Sequence, residues 1–172
     1  MKKLVLLTTL AILSLHLNTH AQVKNGDMET TANMDWPWRL SVNNVNTDTP
    51  GAATMSYESY EDQAKGHFLQ VVVTAANTDK PWQLRVRQNV EVGSDATKIT
   101  FRARGTNKGQ LLRVRYDGNG STKPQANITL TKKWADYELT LPASSQGTKN
   151  TLAFWLKSEG TYQLDDVAVV NQ

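Results

Sequence analysis

The chain of 172 residues contains no cysteine. That excludes disulfides, cysteine-based zinc sites and a thiol nucleophile. It equally excludes the lipidated cysteine of a bacterial lipoprotein. A small exported domain without disulfides must be held by its core, with or without a structural metal. Histidine is scarce as well. His16 and His20 lie in an N-terminal apolar stretch, so His67 is the sole histidine of the remaining chain. A Ser-His-Asp triad on His67 is formally possible, but no nucleophile-elbow sequence accompanies it. Beyond the first residues there is no apolar run of membrane-spanning length. No segment keeps a helical period, and there is no internal repeat or low-complexity linker. A charge excess is missing too. The formal +3 falls to +1 without Lys2 and Lys3, which argues for neither a nucleic-acid partner nor a membrane surface.

The first 21 residues read as a secretory signal peptide. Lys2 and Lys3 form the charged start, Leu4 to Leu17 is apolar, and Thr19-His20-Ala21 offers a cleavage site. The expectation is a secreted or periplasmic protein whose mature part, 22–172, is one domain.

That part reads as short strands between turns. The expected strands are Trp38 to Val45, Ala53 to Glu58, His67 to Ala75, Gln83 to Val92 and Lys98 to Gly105. Leu111 to Asp117, Ala126 to Thr131, Ala135 to Leu141, Thr151 to Ser158 and Tyr162 to Val170 follow. Alternation is strict in several. Ile99, Phe101 and Ala103 face one way, and Thr100, Arg102 and Arg104 the other. Leu152, Phe154 and Leu156 alternate in the same manner against Ala153, Trp155 and Lys157. Turn residues such as Asp48 to Gly51, Gly93 to Asp95, Asp117 to Gly120 and Ser144 to Gly147 separate the runs. About ten strands in this length imply an all-β, two-layer sandwich.

Three segments carry a family resemblance: Asn25-Gly26-Asp27-Met28-Glu29; Trp82 to Gln88 running through Val90 to Gly93 into Ile99 to Gly105; and Trp134 to Tyr137, followed by Leu152 to Leu156 and Tyr162 to Val167. In that order and spacing the chain resembles carbohydrate-binding modules of families four, nine and twenty-two. The resemblance implies a galactose-binding-like jelly roll of two antiparallel sheets, with a polysaccharide on its concave face. Many such modules are fused to glycoside hydrolases; here the length points to a separate glycan-degrading enzyme as partner. The resemblance also implies a structural calcium ion tying the N-terminal segment to the last strand. The matching positions are Glu29 and Asp165, with Asp27 or backbone carbonyls near Lys65 and Gly66 as further ligands. Calcium does favour such oxygen sets. The competing reading makes these acids ordinary surface carboxylates.

Arg-x-Arg occurs three times, as Arg85 and Arg87, Arg102 and Arg104, and Arg113 and Arg115. Each pair flanks an apolar residue (Val86, Ala103, Val114), so all six arginines should point away from the core. Strands 98–105 and 111–117 are joined by a short loop and are expected to form a hairpin, which sets like charges side by side. A bound anion would explain that choice, because the arginine fork matches a carboxylate or sulfate. The alternative is pairing with Asp117, Asp136 and Glu138. Trp155 has outward parity beside Lys157 and could stack on a sugar ring, or could close the edge of the core. Trp134, with Tyr137, matches a structural position and is expected in the core, Trp82 reads either way, and Trp36 and Trp38 share the parity of Leu40 and Val42, which favours the core, although one could rim the groove.

The expected function is non-catalytic binding of a polysaccharide, preferably acidic. Two alternatives stand beside it. One is a jelly-roll lyase or hydrolase, which would need a proton-abstracting Tyr or His among the arginines, or paired carboxylates. The other is a structural or protein-binding sandwich.

Overall fold

Each strand buries one side because its apolar residues recur at every second position. The computed structural model describes residues 23–31, 37–93, 96–118, 122–142 and 147–171. The expected signal peptide, Trp36 and several expected turns (Ser94-Asp95, Asn119-Gly120, Ser144 to Gln146) lie outside the described residues. Ten strands are present among them: β1 (Arg39–Val42), β2 (Ala52–Ser59), β3 (His67–Ala75), β4 (Leu84–Val92), β5 (Ala96–Gly105), β6 (Leu111–Asp117), β7 (Gln125–Thr129), β8 (Ala135–Thr140), β9 (Gly147–Leu156) and β10 (Gly160–Asn171). Two single-turn 3-10 helices, Gln63–Lys65 and Pro81–Gln83, interrupt the loops. Among the described residues no helix is long and apolar enough to cross a membrane.

The strands form two antiparallel five-stranded sheets, ordered β1-β4-β9-β6-β7 and β2-β3-β10-β5-β8. This is the two-sheet antiparallel jelly-roll β-sandwich expected from the sequence. Between the sheets lies one continuous core that includes Trp38, Leu69, Val86, Ile99, Phe101, Val114, Phe154 and Leu164, all at most 1% exposed. Phe154 is central, packing edge-on against Phe101 at 5.0 Å and tilted against Trp38 at 5.8 Å. Trp38 also donates from Nε1 to the Asn25 carbonyl at 3.0 Å, so a core indole anchors the N-terminal segment.

Three local expectations change. The first strand ends at Val42, because the Asn43 side chain accepts from Val45 N–H at 3.2 Å and turns the chain. Strands 98–105 and 111–117 do not form a hairpin: β5 and β6 lie in opposite sheets. Both strands have a core-facing row, and the sandwich sets Phe101 and Ala103 across from Leu112 and Val114 instead of beside them. Trp134 is not a core residue either. It caps the outer side of the second sheet, 5.4 Å from Tyr60 and 5.6 Å from Phe68 between ring centroids. Tyr137 does reach the core, stacked on Phe101 at 5.6 Å.

Candidate functional site

The arginines divide between the two sheets. Arg85 and Arg87 on β4 and Arg113 and Arg115 on β6 flank the central strand β9. The register sets Arg39, Arg87, Ala153, Arg115 and Gln125 in one rung across the sheet. The next rung holds Ser41, Arg85, Trp155, Arg113 and Asn127, and a third holds Asn89, Thr151 and Asp117. Leu40, Val86, Val114 and Phe154 belong to the core or pack against it, so these rungs lie on the outer face. Strand spacing places the backbones of Arg87 and Arg115 about 10 Å apart, and side chains two residues apart on one strand recur at about 6.7 Å. Five arginines therefore share a patch with one carboxylate, Asp117, among its described side chains.

Asp117 does not balance the four arginines of β4 and β6. It is engaged by Arg115 on its own strand, with Nη2 at 2.7 Å and Nε at 2.8 Å from one carboxylate oxygen. Arg113 donates from Nε to the Asn127 side chain at 2.7 Å. Both β6 guanidiniums lie over the Trp155 ring, at 5.2 and 5.3 Å from its centroid. Trp155 therefore has the outward parity read from the sequence, yet it is only 6% exposed. Its faces meet Arg113, Arg115 and, at 6.4 Å, Trp82. The open indole of this end is Trp82, 44% exposed. Lys157, just past the end of β9, is half-buried, and its N–H donates to the Leu111 carbonyl.

The β4 arginines are held differently. Among the described residues neither Arg85 nor Arg87 has an ion-pair partner, and the Nε of each is shut from solvent without an acceptor. Trp155 Nε1 is in the same condition. Burial, followed by the positive charge of Arg87, draws the Arg85 guanidinium below its ordinary pKa; Asp117 works against this and Arg115 with it. Arg85 thus feels charges on both flanks of β9.

Trp82 is fixed by a hydrogen-bonded loop pair. Gln83 donates to the Val45 carbonyl at 2.9 Å and accepts from Asn77 at 3.2 Å. Asp79 accepts from the hydroxyls of Thr47, at 2.5 Å, and Thr49. Those hydroxyls, Thr47 first, hold the Asp79 carboxyl down at about 2.

Arg102 and Arg104 do not join this patch. They lie on the outer side of the second sheet, over Trp134 at 5.5 and 5.1 Å. Arg102 reaches Asp166 at 3.3 Å and Asp136 at 3.5 Å, and Arg104 donates to Gln163. A shallow depression of about 550 Å³ beside them is lined by Thr100, Arg102, Asp136, Tyr137, Glu138 and Asp166. Its charges are matched internally, since Glu138 also pairs with Lys98 at 2.9 Å.

Glu29 and Asp165, two of the expected calcium ligands, both lie toward the start of β3. Glu29 accepts from His67 N at 2.8 Å and lies 3.1 Å from His67 Nδ1. Its carboxylate rests on Gly66, where φ is +76° and an added Cβ would come within 1.9 Å of it. Asp165 lies one residue beyond the Leu164–Leu69 pair, buried beneath Tyr60, whose hydroxyl donates to it at 2.5 Å. Burial pushes Asp165 up to about 6. Asp27 accepts from Glu29 N at 3.4 Å. Among the described residues no three His, Cys, Asp or Glu side chains gather as a metal-binding group. As placed, the side chains alone do not make a calcium cage; Glu29 and Asp165 would need backbone carbonyls to complete one.

Comparison with known proteins places the fold. No family model and no curated protein sequence matches the chain. Solved structures do. A CBM4 carbohydrate-binding module is similar at 15% identity over 88% of this chain and 100% of its own, with a TM-score of 0.66. TmCBM61, solved with β-1,4-galactotriose, is 14% identical over 90% of this chain and 100% of its own, with a TM-score of 0.62. A family 11 module of Clostridium thermocellum, solved with a β-1,3-1,4-mixed-linked tetrasaccharide, gives 12% identity over 79% and 89%, with a TM-score of 0.57. The chain has the jelly-roll fold that these carbohydrate-binding modules share.

Proposed function

We propose that this protein is an exported, non-catalytic polysaccharide-binding module whose ligand lies on the outer face of the β1-β4-β9-β6-β7 sheet. The observation that carries the reading is the patch itself: four arginines on the strands flanking β9 and two tryptophans, with Asp117 as the carboxylate among the described side chains. Like charges facing one another across strands are unfavourable, so stability alone does not account for the set. An acidic glycan supplies the missing charge, with carboxylate or sulfate groups received by arginine and an apolar sugar face by Trp82. The fold's likeness to modules solved with oligosaccharides supports the carbohydrate part of this reading.

The patch offers little to catalysis. Its described carboxylate is already bound to Arg115, so among the described side chains no acid pair flanks a scissile bond. Tyr116 is buried on the core side, where desolvation holds its phenol far above the usual range. His67 is paired with Glu29 on β3, in the other sheet. A stabilising calcium ion at Glu29 and Asp165 belongs to the same proposal, supported by the two carboxylates and by the close approach of Glu29 to the half-buried Gly66 backbone.

Affinity electrophoresis tests the function directly. Gels containing polygalacturonate, chondroitin sulfate, xylan or mixed-linkage β-glucan are run at low and high salt. The acidic polymers should retard the protein, and less so as salt rises, because screening sets in over about 8 Å at physiological ionic strength. Retardation by none of the polymers would overturn the reading.

A further inference from the structure

Four arginines flank β9, but they are not equivalent. The β6 pair has its partners. Arg115 grips Asp117, Arg113 grips Asn127, and both guanidiniums lie on Trp155. The β4 pair lacks them, and Arg85 Nε and Arg87 Nε are both closed to water with no acceptor. Trp155 Nε1, opposite Arg85 in the register, is a third such donor. A buried donor without an acceptor loses its hydration with nothing in return. Buried polar groups are nearly always paired, so three unpaired donors on two adjacent strands of one face stand out. Every one of them is an N–H, and two belong to guanidiniums that carry full positive charge and are only half-buried as residues. A group that offsets this charge at the open edge of each guanidinium, leaving the enclosed Nε where it is, is an oxygen anion.

Rung geometry gives the place. Between Arg87 and Arg115 the central strand carries only Ala153, so arginine stems can lie across it; Ala153 is 1% exposed. Trp82 leads directly into β4, at the Arg85 end of the strand. An open indole on the turn before β4 and two arginines without an ion pair on β4 therefore follow one another along the chain, with the occupied β6 pair on the far side of β9.

Resting on the proposed function, we infer that the acid group of the glycan is received by the Arg85–Arg87 pair, next to a sugar ring stacked on Trp82. Trp155 and the β6 arginines are positioning residues: the indole holds Arg113 and Arg115 in place and gives up its own faces to do so. The ligand class is a glycan presenting a carboxylate or sulfate ester close to an unsubstituted apolar sugar face.

The test separates forks from charge. The R85K/R87K variant keeps both positive charges and removes the planar donors. Isothermal titration with oligogalacturonate and with chondroitin sulfate oligosaccharides distinguishes a carboxylate from a sulfate source. Affinity for whichever acidic probe binds should fall on the order of tenfold or more in R85K/R87K, as expected for loss of charge-assisted hydrogen bonds. Affinity for xylooligosaccharide should be unchanged. A second measurement uses the unaltered protein. In ¹⁵N spectra of the arginine Nε–Hε groups, the Arg85 and Arg87 signals should move most on addition of the acidic probe. If the acidic probes bind with salt sensitivity but R85K/R87K retains full affinity, or Arg113 and Arg115 signals move instead, this inference falls and the acidic-glycan reading survives. If xylooligosaccharide binds and neither acidic probe does, both fall.

Discussion

Replacing Trp155 with Ala separates a buried plate from an open sugar platform. An indole of this kind buries roughly 150–250 Å². At about 25 cal/mol per Å² that corresponds to about 4–6 kcal/mol against an extended chain. A compact unfolded state trims this by roughly 10–40%. The two guanidinium contacts add about 0.5–1 kcal/mol each. The gap would lie beneath the mobile stems of Arg113 and Arg115, which can settle into it, so the lower part of the range applies. The expected loss is about 3–4 kcal/mol, against about 1 kcal/mol or less for Trp82→Ala, whose ring is 44% exposed. Urea unfolding followed by far-UV circular dichroism reads both without relying on tryptophan fluorescence. For a domain near this size, about 3 kcal/mol also lowers Tm by on the order of 10 °C. A Trp155→Ala protein within about 0.5 kcal/mol of the parent would show an indole free to take a sugar, and the assignment of stacking to Trp82 would fail.

Other outcomes follow from the same contacts. Arg102→Ala should cost about 1 kcal/mol by urea unfolding through its exposed ion pairs and its contact with Trp134, and should leave acidic-glycan affinity unchanged. Lost binding would return the second sheet to the site. Calcium should raise Tm and EDTA lower it, by mass action on the folded state; no shift in either direction, with no metal found by elemental analysis, would remove the Glu29–Asp165 proposal. The Asp79 carboxyl is held at about 2, below its ordinary 3.8, so its contribution is complete above about pH 4 and is lost as pH falls toward 2. Amide exchange in loop 43–50 should therefore accelerate over that window in the parent and be pH-independent, beyond the intrinsic rate, in Asp79→Ala. Equal acceleration in both would deny Asp79 its role in fixing the loops beside Trp82.

Much of the fold was legible because each strand has one wet side and one dry side. Ile99, Phe101 and Ala103 announce their strand without any tertiary knowledge. Pairing was harder. A short loop between two amphipathic strands suits a hairpin and a crossing between sheets equally well, and only the collective packing of the core chose the crossing. That choice removed Arg102 and Arg104 from the site. It left four of the six predicted arginines together and brought in Arg39, which has no Arg-x-Arg partner and enters only through the β1–β4 register. Trp155 shows the same limit. Parity tells which way a side chain points, but its exposure depends on what stands on the neighbouring strands, here Arg85 and Arg113. Trp82 sits on a 3-10 turn, where alternation carries no information.

The central claim is that an acidic glycan lies on the β1-β4-β9-β6-β7 face. Backbone amide shift mapping during titration with oligogalacturonate or chondroitin sulfate oligosaccharides tests it most directly. The account predicts shifts concentrated at Trp82, Arg85, Arg87, Ala153 and Trp155, weakening together as salt is raised. Shifts centred instead on Gln70, Arg104 and Trp134, or none with either probe, would contradict it.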